Sequence, residues 1–192
     1  QMPKPRTEAL RKMQTDHRPI GGADAGVHAA DLQMFEQCGN GLRLIVAEDH
    51  LAPVVAVNVW YGVGSKHEVP GKTGFAHLFE HVMFTGSGHV PYGLHDKLTE
   101  GVGGSNNGTT SNDRTTYYET VPSNYLESAL WMEADRMGFL LDSLDLVKLN
   151  AQRDIVKNER RQGVDNQPYG RAFEILAKAT YPPTHPYSWD VI

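Results

Sequence analysis

The order in which strand-like and helix-like stretches follow one another is the tightest constraint on this chain's fold. Leu32, Met34 and Phe35 lead into Cys38-Gly39-Asn40-Gly41, after which Leu42, Leu44 and Val46 alternate. Asn-Gly between two such runs predicts a β-hairpin. A third strand is expected over residues 54–63, where Val55, Val57, Val59 and Tyr61 alternate with Ala56, Asn58 and Trp60. After one helix, a loop and a short helix near residues 94–100, the run from Gly101 to Gly108 is too rich in glycine for a helix interior. Thr109, Thr110, Thr115, Thr116, Tyr117, Tyr118 and Val121, split by Asn112-Asp113, predict another strand pair. Helices then fill residues 123–141, with Ser123 as N-cap, 143–162, and 169–180 before Pro182-Pro183. Strands, helix, strands and then consecutive helices imply an α+β fold, an antiparallel-rich sheet with helices packed on it.

The helix between the two strand sets, residues 74–84, carries the chemistry. Phe75, Leu78, Phe79 and Val82 recur at helical spacing, and Gly86 follows as a stop. His77 and His81 are one turn apart, so both imidazoles leave the same face, and Glu80 projects beside them. Two imidazoles and a carboxylate on one rigid unit can supply two metal ligands and a general base. A catalytic zinc takes three protein ligands, so the third must come from another element. Glu159, on the face of the 143–162 helix that also carries Gln152, with Ile155 and Val156 marking the buried side, meets that demand better than Asp154 or Asp165. Spacing alone leaves it open whether Glu159 is a ligand or a solvated charge paired with Arg153, Arg160 or Arg161. The histidines at 67, 89, 95 and 185 read as surface loop residues, and Tyr117 and Tyr118 as strand packing.

Composition excludes some classes of function. Eighteen basic against 23 acidic residues, a formal charge of -5, create no demand for a nucleic-acid partner. A single cysteine rules out an intrachain disulfide framework and a four-cysteine zinc site. No apolar run reaches the length of about 18 residues that a spanning helix needs. Residues 1–31 are polar and lack a core-forming pattern beyond a short helix over residues 8–13, so they read as an arm or leader remnant, with a domain over 32–192. The first residue is Gln1 rather than methionine, which points to a periplasmic or exported, trimmed protein, with a cytoplasmic one as the alternative. The last residues, His185 to Ile192, end on apolar side chains, and the chain reads as a fragment.

His77-x-x-Glu80-His81, with Glu159 in Val156-Lys157-Asn158-Glu159-Arg160-Arg161 far downstream, resembles the pitrilysin-type zinc peptidases, the M16 or inverzincin family. Asn40-Gly41-Leu42, the stretch from Gly104 to Ser111 with Thr116-Tyr117-Tyr118, and Asp165-Asn166-Gln167-Pro168-Tyr169-Gly170 are similar to the same family in the same order. The resemblance extends over residues 32–192 and is closest to bacterial members and the mitochondrial processing peptidases. It implies an incomplete copy of the family's α/β sandwich. It also implies one Zn²⁺ per chain held by His77, His81 and Glu159, with Glu80 as base in an endopeptidase acting on short or unfolded peptides. An edge strand at Asn107, Gly108 and Thr109 would pair with the substrate backbone. Gly108 replaces the family's alanine, and Gln152 stands where many members carry glutamate, so its expected role is hydrogen bonding behind the metal. The implied partner is a C-terminal half, or a homologous subunit, that closes a chamber and supplies an Arg-Tyr pair. Without it, this chain is expected to bind zinc and cleave poorly. The alternative is a non-catalytic structural or partner subunit that keeps the peptidase fold. Against it, inactive family members tend to lose residues of the kind retained here at His77, Glu80, His81 and Glu159.

Overall fold

The computed structural model describes residues 32–35, 39 and 41–192. The arm expected over 1–31, the helix expected at 8–13, Cys38 and Asn40 of the expected turn lie outside the described residues. The described residues fall into two units, one ending at Ala52 and one running Pro53–Ile192. In the first, β1 (Leu32–Phe35) and β2 (Leu44–Ala47) pair antiparallel, with Leu32 opposite Ala47 and Phe35 opposite Leu44, as the alternation before and after Asn40-Gly41 predicts.

The second unit is built on a three-stranded antiparallel sheet. Its central strand, β5 (Thr115–Pro122), has β3 (Val54–Tyr61) on one side and β4 (Ser105–Thr110) on the other. Tyr61 lies opposite Thr115 across one pair, and Gly108 opposite Tyr117 across the other. At the β4–β5 turn the Ser111 amide donates to the Arg114 carbonyl at 2.8 Å. Hydrogen-bonded pairs alternate from that point, so Gly108 and Tyr117 form a non-bonded pair and the Gly108 N–H points away from β5.

Five helices accompany the sheet: α1 (Phe75–Val82), α2 (Leu94–Glu100), α3 (Leu126–Ser143), α4 (Leu146–Arg160) and α5 (Ala172–Thr180). The architecture is α+β, as the element order predicts. Tyr117 and Val121 of β5, Val82 of α1, and Ala129, Met132 and Leu140 of α3 form the apolar core. Among the described residues no helix is long and apolar enough to cross a membrane.

Two helix starts differ from the expectation, and the buried face of α3 is partly polar. A 3₁₀ turn, Ser123–Tyr125, precedes α3, and Ser123 makes no cap bond. On α3 the buried face runs through Ala129, Met132, Glu133, Arg136 and Leu140, whereas Leu130, Met137 and Leu141 are exposed. The pair Glu133–Arg136 sits on the sheet side joined through one oxygen and one guanidinium nitrogen, with Arg136 over the Tyr117 ring, which apolar periodicity does not register. The next helix begins only after Asp145, whose carboxylate accepts from the Lys148 amide at 2.8 Å, and it ends in a π turn over Arg161–Asp165.

Candidate metal centre

The start of α1 is organised from outside the helix. Glu68 reaches across six and eight residues to accept from the backbone amides of Gly74 (2.9 Å) and Ala76 (2.6 Å). A carboxylate there satisfies two otherwise orphaned donors and meets the positive end of the helix dipole. Val82, fully buried, anchors the far end, and Gly86 turns the chain at φ +93°. A side chain at Gly86 would meet the Tyr92 amide nitrogen at 2.7 Å and the Val90 carbonyl at 2.8 Å, so both backbone angle and space require glycine.

α4 packs against α1 and brings Glu159 to the two histidines. The Nε2 atoms of His77 and His81 lie 3.3 Å apart, and Glu159 Oε2 is 3.2 Å from His81 Nε2 and 3.7 Å from His77 Nε2. A tetrahedral ion with bonds of 2.0–2.1 Å spaces its ligands by about 3.3–3.4 Å. The three donor atoms therefore form a triangle of the right size, and two nitrogens with one carboxylate oxygen suit zinc chemically. Burial holds the His77 imidazole below its ordinary value, the nearby carboxylates Glu80 and Glu159 only partly opposing the effect. It is thus neutral at neutral pH, the form in which an imidazole binds metal. Its contact with Glu159 is not an ion pair there.

Glu80, His81, Asn107 and Gln152 line one cleft of about 310 Å³. Gln152 is the buried residue of α4, 8% exposed, whereas Ile155 is 42% exposed and Val156 half-buried. Of the two apolar residues expected to mark the inward face of α4, Ile155 lines the same cleft while staying open to solvent, and Val156 is only partly covered. The face is set by Gln152, which looks onto the cleft from two helical turns before Glu159.

From the sheet side β4 closes on Glu80. Thr110 Oγ1 donates to Glu80 Oε2, and a Cβ at Gly108 would stand 3.1 Å from Glu80 Cγ and 3.3 Å from its Oε1. Asn107 Oδ1 accepts from the Gly108 amide at 2.8 Å. Thr109 turns to the other face of the sheet, its hydroxyl bonded to Thr116 and Arg114.

Two features of the surroundings had no sequence signal. Asp135, buried on α3, holds the loop after Gly86: its carboxylate accepts from Ser87 Oγ, from the His89 amide (3.0 Å) and from the His89 ring (2.6 Å). Farther along the same face of the sheet, His95, Glu119 and Glu133 form a second group of closely spaced donors, all buried. His95 is therefore not a surface loop residue; it lies on α2, and its Nε2 is 3.3 Å from Arg136. Arg136 also bonds Glu133 and lies over the rings of Phe84 and Tyr117. This second group already contains its cation, a guanidinium.

Comparison with known proteins places the geometry in context. Residues 43–186 match the family model described as insulinase, peptidase family M16. The chain is 34% identical to the zinc protease PqqE of Helicobacter pylori over 80% of its own length and 34% of that protein. It is 31% identical to the uncharacterized zinc protease YmxG of Bacillus subtilis over 75% of its length and 34% of the relative. Among solved structures, a protease from Helicobacter pylori superposes with a TM-score of 0.76 at 33% identity, covering 82% of this chain and 37% of that one. The chain thus spans about a third of the length of these relatives.

Proposed function

The chain belongs to the insulinase-type peptidase family, M16, and on that premise we propose that it is the zinc-binding catalytic portion of a metalloendopeptidase. One observation carries the reading. Two imidazole nitrogens from α1 and a carboxylate oxygen from α4 meet at ligand spacing, with a second carboxylate, Glu80, in the adjoining cleft. His77, His81 and Glu159 would hold one Zn²⁺. Bound there, zinc supplies Lewis-acid polarisation of a peptide carbonyl and makes water acidic enough to be used near neutral pH. Glu80 accepts the proton of the attacking water and returns it to the departing amine. Gln152 offers an amide beside the ligands, a hydrogen-bonding support without charge. The outward edge of β4, where Gly108 between Asn107 and Thr109 turns its main-chain groups away from β5, offers pairing to an extended peptide, which favours short or unfolded substrates.

The domain proposed for this activity is residues 32–192, preceded by the arm at 1–31. A further half of the same protein, or a homologous subunit, completes the chamber in this reading, and the relatives' greater length supports it. The retained donor set favours an enzyme over a structural subunit.

Metal analysis of the purified chain beside E159A tests the site. The wild type is expected to retain about one zinc and E159A clearly less, while equal contents would remove Glu159 from the ligand set. In the full-length protein, E80Q should keep its zinc and lose cleavage of a quenched peptide; undiminished cleavage would remove Glu80 as the base.

A further inference from the structure

The metal helix places Glu80 by its backbone, yet three side-chain torsions separate that backbone from the carboxylate. A base must stay within hydrogen-bond reach of the proton it takes, and a freely rotating glutamate spends much of its time elsewhere. Among the described residues Thr110 is the hydrogen-bond donor to the Glu80 side chain, through Oγ1 to Oε2. On the other side, Gly108 brings bare backbone against Glu80 Cγ and Oε1, where a Cβ would sit at 3.1 and 3.3 Å. Gly108 and Thr110 are two apart on β4, so both face Glu80 from the same side of the strand.

We infer that Thr110 is a positioning residue for the base: its hydroxyl fixes the Glu80 carboxylate to β4, with one oxygen engaged and the other lying over Gly108. This rests on the reading of Glu80 as the base. It adds that the base is aligned to the strand whose outward edge receives the peptide, rather than to the metal helix alone. Substrate register and base position then share one element.

The test uses the full-length protein with four forms: wild type, E80Q, T110V and T110S. T110V keeps the side chain's shape and removes the donor; T110S keeps the donor. Loss of a hydrogen bond to a charged group should lower kcat about tenfold or more in T110V. KM and zinc content should stay at wild-type values, and T110S should recover most of the rate. Wild-type kcat in T110V beside an inactive E80Q would overturn the assignment of Thr110 and leave Glu80 as base. So would a T110V defect that lies in KM or zinc content. If E80Q itself cleaves like the wild type, the reading of the base fails, and the inference fails with it.

Discussion

Removing the carboxylate of Asp135 should loosen the loop that follows α1 and Gly86, at a cost that can be worked out. Asp135 is 4% exposed and accepts from Ser87 Oγ, the His89 amide and the His89 ring. In D135A the His89 ring, on a side chain 63% exposed, regains water, so its loss is small. The Ser87 hydroxyl on a buried residue and the His89 amide are left without partners, at about 1–3 kcal/mol each. Relief of a buried charge offsets part of this, for a net loss of about 2–4 kcal/mol, a large fraction of an ordinary domain's stability. At this chain length that lowers Tm by roughly 5–15 °C. D135N, which keeps shape and one acceptor, should fall between. The pH dependence supplies a second reading. Burial opposes the ionised form of Asp135, but the bonds from Ser87 and His89 outweigh it and hold the carboxyl below its ordinary value. A depressed carboxyl pKa gives stability that is present above the unfolded value, about 3.9, and is lost as pH falls through the folded one. The gap between wild type and D135N should therefore be constant from pH 8 to 5 and shrink below pH 4, as followed by thermal melts. A D135A melt within 2 °C of wild type would refute the reasoning, as would a gap that persists at pH 3.

Other predictions concern the interior and the histidines. R136Q leaves Glu133 buried without its guanidinium and should cost roughly 3–5 kcal/mol, read from urea unfolding; a loss under 1 kcal/mol would mean that the group between α3 and the sheet is not held by charge. Burial depresses the His77 pKa, so the metal-free protein should lose stability as pH falls below about 6.5, where the unfolded chain takes up the proton first. Melts of chelator-treated protein between pH 8 and 5 check this, and H77Q should flatten the slope.

Much of the site is legible in the chain because it is local. Two histidines and a glutamate within five positions, an apolar opposite stripe and Gly86 describe α1 without reference to anything else. Glu159 is less so: the apolar residues beside it mark its face only weakly, since Ile155 lines the cleft but stays exposed and the buried neighbour is Gln152. What brings Glu159 to the histidines is the packing of α4 on α1, a long-range event with no periodic signature. The same holds for Glu68 at the head of α1, Thr110 beside Glu80, and Asp135 under the loop. Each is a polar residue in a stretch that reads as strand, turn or helix, and its partner is known only once the elements are placed. His95 reads as a surface residue because a lone histidine ordinarily is one, whereas here Arg136 and Glu133 give it a buried polar setting.

The small bond from Asn107 to the Gly108 amide has a bearing on how the protein behaves in solution. β4 lies at the border of its sheet, and an open border of unmatched donors invites strands from neighbouring molecules, the first step toward clumping. By covering the Gly108 donor with its own side chain, the border withholds one anchoring point from such encounters. An incoming chain must displace a bond already made before it gains one. Casual contacts between copies therefore gain less at this position, and only a strand that offers several matched groups at once recovers the difference.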